Sequence, residues 1–413
     1  MTASDTQPAA IDWIEGGGVT TPGGFVAGGT YANIKTYGEA PRMDVGILAA
    51  TGLCTVAGVF TRNAVVGEPV NWDRRVLAAG RPMRGLVVNS GNANTVTGDQ
   101  GTRDCARMAE LAAEVLGVTA EEVLVASTGV IGRQMPMEKM EAGIRALSLS
   151  AEGGYLFTRA IMTTDTREKS CAVRVDAAGQ TYTVGGCAKG SGMIHPDMGT
   201  MFAFITTDAP ADRDWLQSTL REVTDRTFNM VDVDMDTSTS DTALLLASGA
   251  AGGAPVDAAH PAAAALTAAI EAVATRLARA IAGDGEGATA LLEVTAEGAA
   301  SEDDARLAAR TIASSPLIKT MVTGRDPNWG RVMMAAGRSG ARFDQRAASV
   351  WIGDHCVLDH GQPTAVDLKL VSAAMAGEEV QLRVHLGAGA AHATAWGCNL
   401  TNEYVSINAD YTT

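Results

Sequence analysis

The sequence predicts a mixed α/β fold, because short apolar runs alternate with helix-period patterns along most of its 413 residues. Hydrophobic residues make up 46% and charged residues 19%, the mix of a globular chain rather than a disordered one. At roughly 150 residues per domain, the length suggests two or three structural units with substantial cores. Aromatic residues are only 5%, so packing has to rest on Ala, Val, Leu and Ile.

In chain order, Leu86-Val87-Val88 reads as a buried strand that runs into the polar loop Asn89 to Asn94. Val123-Leu124-Val125 reads as another, and it runs into Ser127-Thr128-Gly129. The run Met201-Phe202-Ala203-Phe204-Ile205 has the continuous apolarity of a central strand. From Trp215 to Phe228, Leu216, Leu220 and Val223 keep the spacing of an amphipathic helix. The Ala-rich stretch 249–282 reads as helix with a short lead-in. Pro261 is expected in its first turn, Leu266, Ile270, Val273, Leu277 and Ile281 form one stripe, and Gly283 is a natural stop. The tight loop Gly283-Asp284-Gly285-Glu286-Gly287 then holds an acidic side chain ahead of the strand-like Leu291-Leu292-Glu293-Val294, a common place for a functional group.

A net charge of −15 repels polyphosphate and anionic lipid, which argues against nucleic acid and membrane partners. The first twenty residues lack a basic start followed by an apolar run, and no stretch of about 18 uninterrupted apolar residues occurs. A soluble, cytoplasmic protein is expected. The six cysteines show no zinc-like spacing and read as reduced, packed thiols. Asp232, Asp234 and Asp236 alternate as in a calcium loop, but Thr237 stands where the loop needs Gly and Ala243 where it needs Glu. His355, Cys356 and His360 fall in a strand and turn pattern rather than a metal site. The early glycines do not form a dinucleotide fingerprint, and neither metal nor cofactor is expected.

The most unusual stretch is Cys187-Ala188-Lys189-Gly190-Ser191-Gly192-Met193-Ile194-His195-Pro196-Asp197-Met198-Gly199-Thr200, where polar, glycine-rich sequence stops at a threonine facing an apolar strand. A threonine hydroxyl is a poor nucleophile near neutral pH and needs a base. Its own α-amine, which titrates near ~8 in peptides, can be that base once the preceding peptide bond is cut. Gly199, without a Cβ, tolerates the backbone strain that an attack on its carbonyl demands. Taken alone, a Gly-Thr before a strand is also an ordinary loop.

The run from Lys189 to Met201 resembles the self-cleavage motif of the ornithine acetyltransferases, also called bifunctional glutamate N-acetyltransferases. Asn89 to Asn94, Ser127 to Gly132, Met162 to Thr166, Asp236 to Thr242, Asp284 to Thr289, Asp326 to Arg331 and Ile407 to Thr413 resemble that family in order and approximate spacing. The similarity runs from about residue 18 to the end. It implies an α/β layered sandwich of the ornithine acetyltransferase fold, sheets flanked by helices, with a second, smaller α/β domain in the C-terminal part. It further implies cleavage between Gly199 and Thr200 into an α chain, 1–199, and a β chain, 200–413, with two of each assembling.

Under that resemblance Thr200 carries an acetyl ester between N-acetylornithine and glutamate, and Thr128 and Gly129 form the oxyanion hole. Thr163, Lys189, Thr200, Glu286, Asn408 and Thr413 bind substrate. Lys189 suits an α-carboxylate, and Glu286 the ammonium that ornithine reveals on leaving. Gly199 in place of the family's usual alanine, Ala290 in place of a basic residue, and Asn402-Glu403 before Tyr404 depart from the pattern but leave the nucleophile intact. The competing expectation is a self-cleaving threonine amidase or aminopeptidase, in which water accepts the acyl group.

Overall fold

The computed structural model describes residues 10–34, 41–195 and 201–410. The predicted site residues Gly199, Thr200 and Thr413 lie outside them. Among the described residues, nine strands form one sheet, in the order Ile11–Ile14, Lys169–Ala177, Gln180–Lys189, Phe202–Thr207, Thr242–Ala247, Val45–Phe60, Met83–Asn89 and Val123–Ser127, with Phe25–Thr30 also paired to Val45–Phe60. The strand that begins with Phe202 is central, as its apolar run predicts: all six residues are buried. It lies antiparallel to Gln180–Lys189 and parallel to Thr242–Ala247.

The strands foreseen around Leu86 and Val123 are parallel neighbours, in a register that places Asn89 opposite Ser127. A parallel pair needs a long crossover, and helix Gly98–Leu116 is part of it. Both strands therefore release their polar loops side by side at one edge of the sheet.

Helix Arg213–Arg226 starts and ends two residues before the predicted span. Asp212 fixes its start by accepting hydrogen bonds from the N–H groups of Asp214 and Trp215. The Ala-rich helix runs Ala263–Ala282 and stops at Gly283. The expected lead-in was too short: Pro261 precedes the first turn, and residues 249–262 are turns, since Gly249, Gly252 and Gly253 adopt positive φ, which a right-handed helix cannot contain. The stripe Leu266, Ile270, Val273, Leu277 and Ile281 is buried as predicted, at about 1.5–3 kcal/mol for each such side chain.

The second sheet has seven strands, in the order Gln362–Pro363, His355–Asp359, Ser349–Ile352, Glu379–His385, Leu291–Ala299, Ala391–Cys398 and Val231–Asp232. The helix Ala263–Ala282 contacts Lys169–Ala177, Gln180–Lys189 and Phe202–Thr207 of the first sheet, and Val231–Asp232, Leu291–Ala299 and Ala391–Cys398 of the second. It is the layer between them, so one continuous apolar core spans both sheets. His355 and Cys356 fall in a hairpin with Ser349–Ile352, turned by Gly353 at φ 57°. No helix among the described residues is long and apolar enough to cross a membrane.

Candidate active site

At the edge where the paired loops emerge, a cavity of about 270 Å³ is lined by Thr128, Gly129, Thr163, Lys189, Glu286 and Asn408, together with Met201. These are all the predicted site residues that the structure describes, and they arrive from separate segments. The volume lies just below the range of drug-sized pockets and suits an amino-acid derivative.

One wall is the loop pair. Gly129 has φ 129°, and a Cβ there would stand 2.4 Å from the Gly91 carbonyl carbon, so only glycine lets the two backbones touch. Thr128 donates its backbone N–H to the Asn89 carbonyl at 3.1 Å. Its hydroxyl and the Gly129 N–H have no hydrogen-bond partner among the described residues, which leaves two donors at the cavity edge. Thr128→Val keeps the shape and removes one of them. The variant is expected to lose about 10²–10³ in kcat with KM little changed, read by steady-state kinetics; an unchanged kcat would remove the hydroxyl from the oxyanion hole.

Lys189 ends its strand inside the protein, with 9% of its surface exposed. No carboxylate among the described residues comes within ion-pair distance of it, and its ammonium lies 5.5 Å from the centroid of the Phe202 ring. Burial pushes its pKa down, and the fields of Asp165, Asp241 and Glu286 work against that. An ammonium left in this state is ready for an anion from outside the protein.

The glycine-rich run after Lys189 is pinned on several sides. The Gly190 N–H donates to Asp165 at 2.7 Å, and the N–H groups of Met193 and Ile194 donate to Asp234 at 2.6 and 2.8 Å. The Ser191 hydroxyl donates to the Asp284 carbonyl at 2.6 Å, while the Glu286 N–H donates to the Ser191 carbonyl at 2.9 Å. His195 Nδ1 lies 2.7 Å from Asp232, whose other oxygen pairs with buried Lys319 at 2.7 Å. Asp232 thus serves as an ion-pair anchor and Asp234 as a backbone anchor, while Asp236 is exposed.

Opposite Lys189, the Glu286 carboxylate accepts from Asn408 Nδ2 at 2.7 Å. Gly192 makes room for it, because a Cβ there would lie 2.4 Å from the Glu286 Cδ. Asn408 belongs to helix Asn402–Asp410, so that helix contributes to the wall of the cavity.

Beneath the cavity is a charge cluster that sequence reasoning missed. Lys169 is fully buried and bridges Asp165, at 2.6 Å, and Asp284. Asp165 also accepts from the Thr163 N–H at 3.0 Å. Burial alone would raise the Asp165 pKa, but Lys169, Lys189 and the Gly190 N–H outweigh it and hold the carboxyl below its usual range. Alternation along the strand puts Lys169 on one face with buried Cys171, Val173 and Val175, and a charge on an apolar face was the available signal.

The ArgJ family model matches residues 26–413. The arginine biosynthesis bifunctional protein ArgJ of Symbiobacterium thermophilum is 49% identical over 405 residues, covering 98% of this chain and all of that protein. The protein of the same description from Dehalococcoides mccartyi is 45% identical, again covering 98% of this chain and all of its own. Among solved structures, an ArgJ chain from Bacillus halodurans is 39% identical with a TM-score of 0.49, covering 51% of this chain and 98% of its own. A chain of ornithine acetyltransferase from Mycobacterium tuberculosis, complexed with ornithine, is 39% identical with a TM-score of 0.42, covering 46% of this chain and 99% of its own.

Proposed function

Because the chain belongs to the ArgJ family, we infer that it is an acetyltransferase of arginine biosynthesis, moving acetyl from N-acetylornithine to glutamate through an ester on Thr200. The observation that carries this reading is the convergence of Thr128, Gly129, Thr163, Lys189, Glu286 and Asn408 on one cavity that also reaches Met201, the residue bonded to Thr200. Cleavage at Gly199–Thr200 turns residues 1–199 and 200–413 into two chains and frees the amine that serves as base. Two copies of each chain assemble, and the reaction takes place in the cytoplasm on small soluble substrates.

The chemistry follows the cavity's charges. Lys189 binds the α-carboxylate that both substrates share. The Thr200 hydroxyl gives its proton to the α-amine and attacks the acetyl carbonyl, whose oxygen turns to the Thr128 hydroxyl and Gly129 N–H. The C–N bond breaks as that proton passes to the leaving nitrogen, which departs as an amine, and Glu286 draws the ammonium that forms once the amine takes a second proton. Glutamate then enters the same subsite and attacks the ester, restoring the hydroxyl. Water excluded by the acceptor would make this a transferase rather than a hydrolase.

Intact-mass analysis of the purified protein tests the reading. Two chains are expected, one ending at Gly199 and one beginning at Thr200, with an acetyl adduct on the second after N-acetylornithine is added alone. Ornithine released at full rate without glutamate would point to a hydrolase instead.

A further inference from the structure

We propose that Asp241 is a further catalytic residue, the carboxyl group that takes a proton from the incoming glutamate ammonium and returns it to the amine of departing ornithine. The proposal rests on the acetyl-enzyme reading and concerns a proton that reading leaves without a carrier.

The account is stoichiometric. Ornithine's nitrogen receives one proton, from the Thr200 hydroxyl, when its bond to the acetyl carbon breaks, and it becomes an ammonium only by taking another. Glutamate arrives as an ammonium, and its nitrogen has no lone pair for the ester carbonyl until one proton is gone. A further N–H proton returns to the Thr200 oxygen as the amide forms and the ester C–O bond breaks. Over a cycle, the extra proton gained by ornithine equals the one lost by glutamate. A group alternating between acid and carboxylate therefore closes the balance inside the cavity.

Asp241 has the position and the open valence. Only 2% of it is exposed, it lines the cavity, and its Oδ2 has no hydrogen-bond partner among the described residues. Thr242 is in register with Phe202 and donates its N–H to the Met201 carbonyl at 3.0 Å, so Asp241 stands level with Met201, the residue that follows Thr200 in the chain. Leaving a buried oxygen bare costs about 1–3 kcal/mol, and unlike buried Asp73, whose bare Oδ2 lies away from the cavity, Asp241 is in the cavity wall.

The ionisable groups around the same cavity are Lys189, Asp165, Glu286, Asp234, Asp236 and Tyr404. Asp165 is held by Lys169, Glu286 by Asn408, and Asp234 by two backbone N–H groups, while Asp236 is exposed. Burial lifts the Asp241 pKa above the ordinary carboxylate range, against a hydrogen bond from the Ser238 side chain and the field of Lys189, which favours the protonated form of the resting group.

The test is single-turnover transfer from acetyl-loaded enzyme to glutamate, and to hydroxylamine, an acceptor largely neutral near neutral pH. Asp241→Asn is expected to be cut as usual and to accumulate the acetyl ester on longer incubation with N-acetylornithine, so that acetyl-loaded enzyme can be isolated. Its transfer to glutamate should fall about 10²-fold or more near neutral pH and climb roughly tenfold per pH unit towards pH 9, while transfer to hydroxylamine stays within a few-fold of the parent. A parent-like rate and profile with glutamate overturns the assignment, and so does an equal loss with both acceptors, which would mark a structural role. If the variant remains uncut, the parent's own profile decides: a flat rate with glutamate supports the carrier, and a rise in proportion to hydroxide overturns it. Absence of an acetyl adduct from the parent would remove the acetyl-enzyme reading itself, and this proposal with it.

Discussion

Thr200→Ala is expected to purify as one uncut chain with no acetyl adduct and no measurable transfer, a loss of about 10⁴-fold or more. The size of the effect comes from two uses of one oxygen. In the proposed mechanism the hydroxyl attacks the Gly199 carbonyl to break the chain, and the same atom later carries the acetyl group. Without cleavage there is also no α-amine, so nucleophile and base disappear together. The remaining site, with Lys189, Glu286 and the two oxyanion donors in place, should still bind N-acetylornithine, and calorimetry on the variant can show this. Thr200→Ser separates the uses. It keeps a hydroxyl and is expected to cut and to retain part of the activity. An uncut Thr200→Ala protein that transferred acetyl at the parent rate would refute the nucleophile and the role of cleavage at once.

The fold was legible wherever a local pattern decides the structure. The run from Phe202 is buried on both faces and has no polar alternation, which only a central strand satisfies. The stripe from Leu266 to Ile281 faces two sheets and needs an apolar face for each. The error at residues 249–262 has the same origin: alanine content suggested helix, and the glycine backbone angles that forbid it are a matter of tertiary context. The site was legible in a different way. A lysine after Ala188 or a glutamate between two glycines is by itself an ordinary surface charge, and only the joint resemblance of the motifs nominated Lys189 and Glu286. What stayed hidden was pairing across long distances. Lys169 meets Asp284, 115 residues on, and that Asp241 Oδ2 lacks a hydrogen-bond partner among the described residues is visible only in three dimensions.

Lys169→Met should therefore be strongly destabilising as well as damaging to the site. The side chain is fully buried between two carboxylates, and methionine matches its length without its charge. Removing one partner of a buried ion pair leaves the other uncompensated, at about 3–5 kcal/mol. The denaturant midpoint should fall accordingly, with the slope unchanged. Activity should fall too, because Asp165 holds Thr163 and the Gly190 N–H while Asp284 anchors the loop of Glu286, so substrate walls on both sides lose their support. The pH dependence distinguishes charge from packing. In the parent the Asp165 pKa is held below its unfolded value, so its contribution is complete above that value and is lost as pH falls through the folded pKa. In the variant the loss of Lys169 leaves burial less opposed at Asp165, so its carboxyl moves up and acid relieves it. The stability gap between parent and variant should consequently narrow as pH drops towards about 4. A gap of equal size at both ends of that range would mean that Lys169 fills space and does not bind the two halves of the site by its charge.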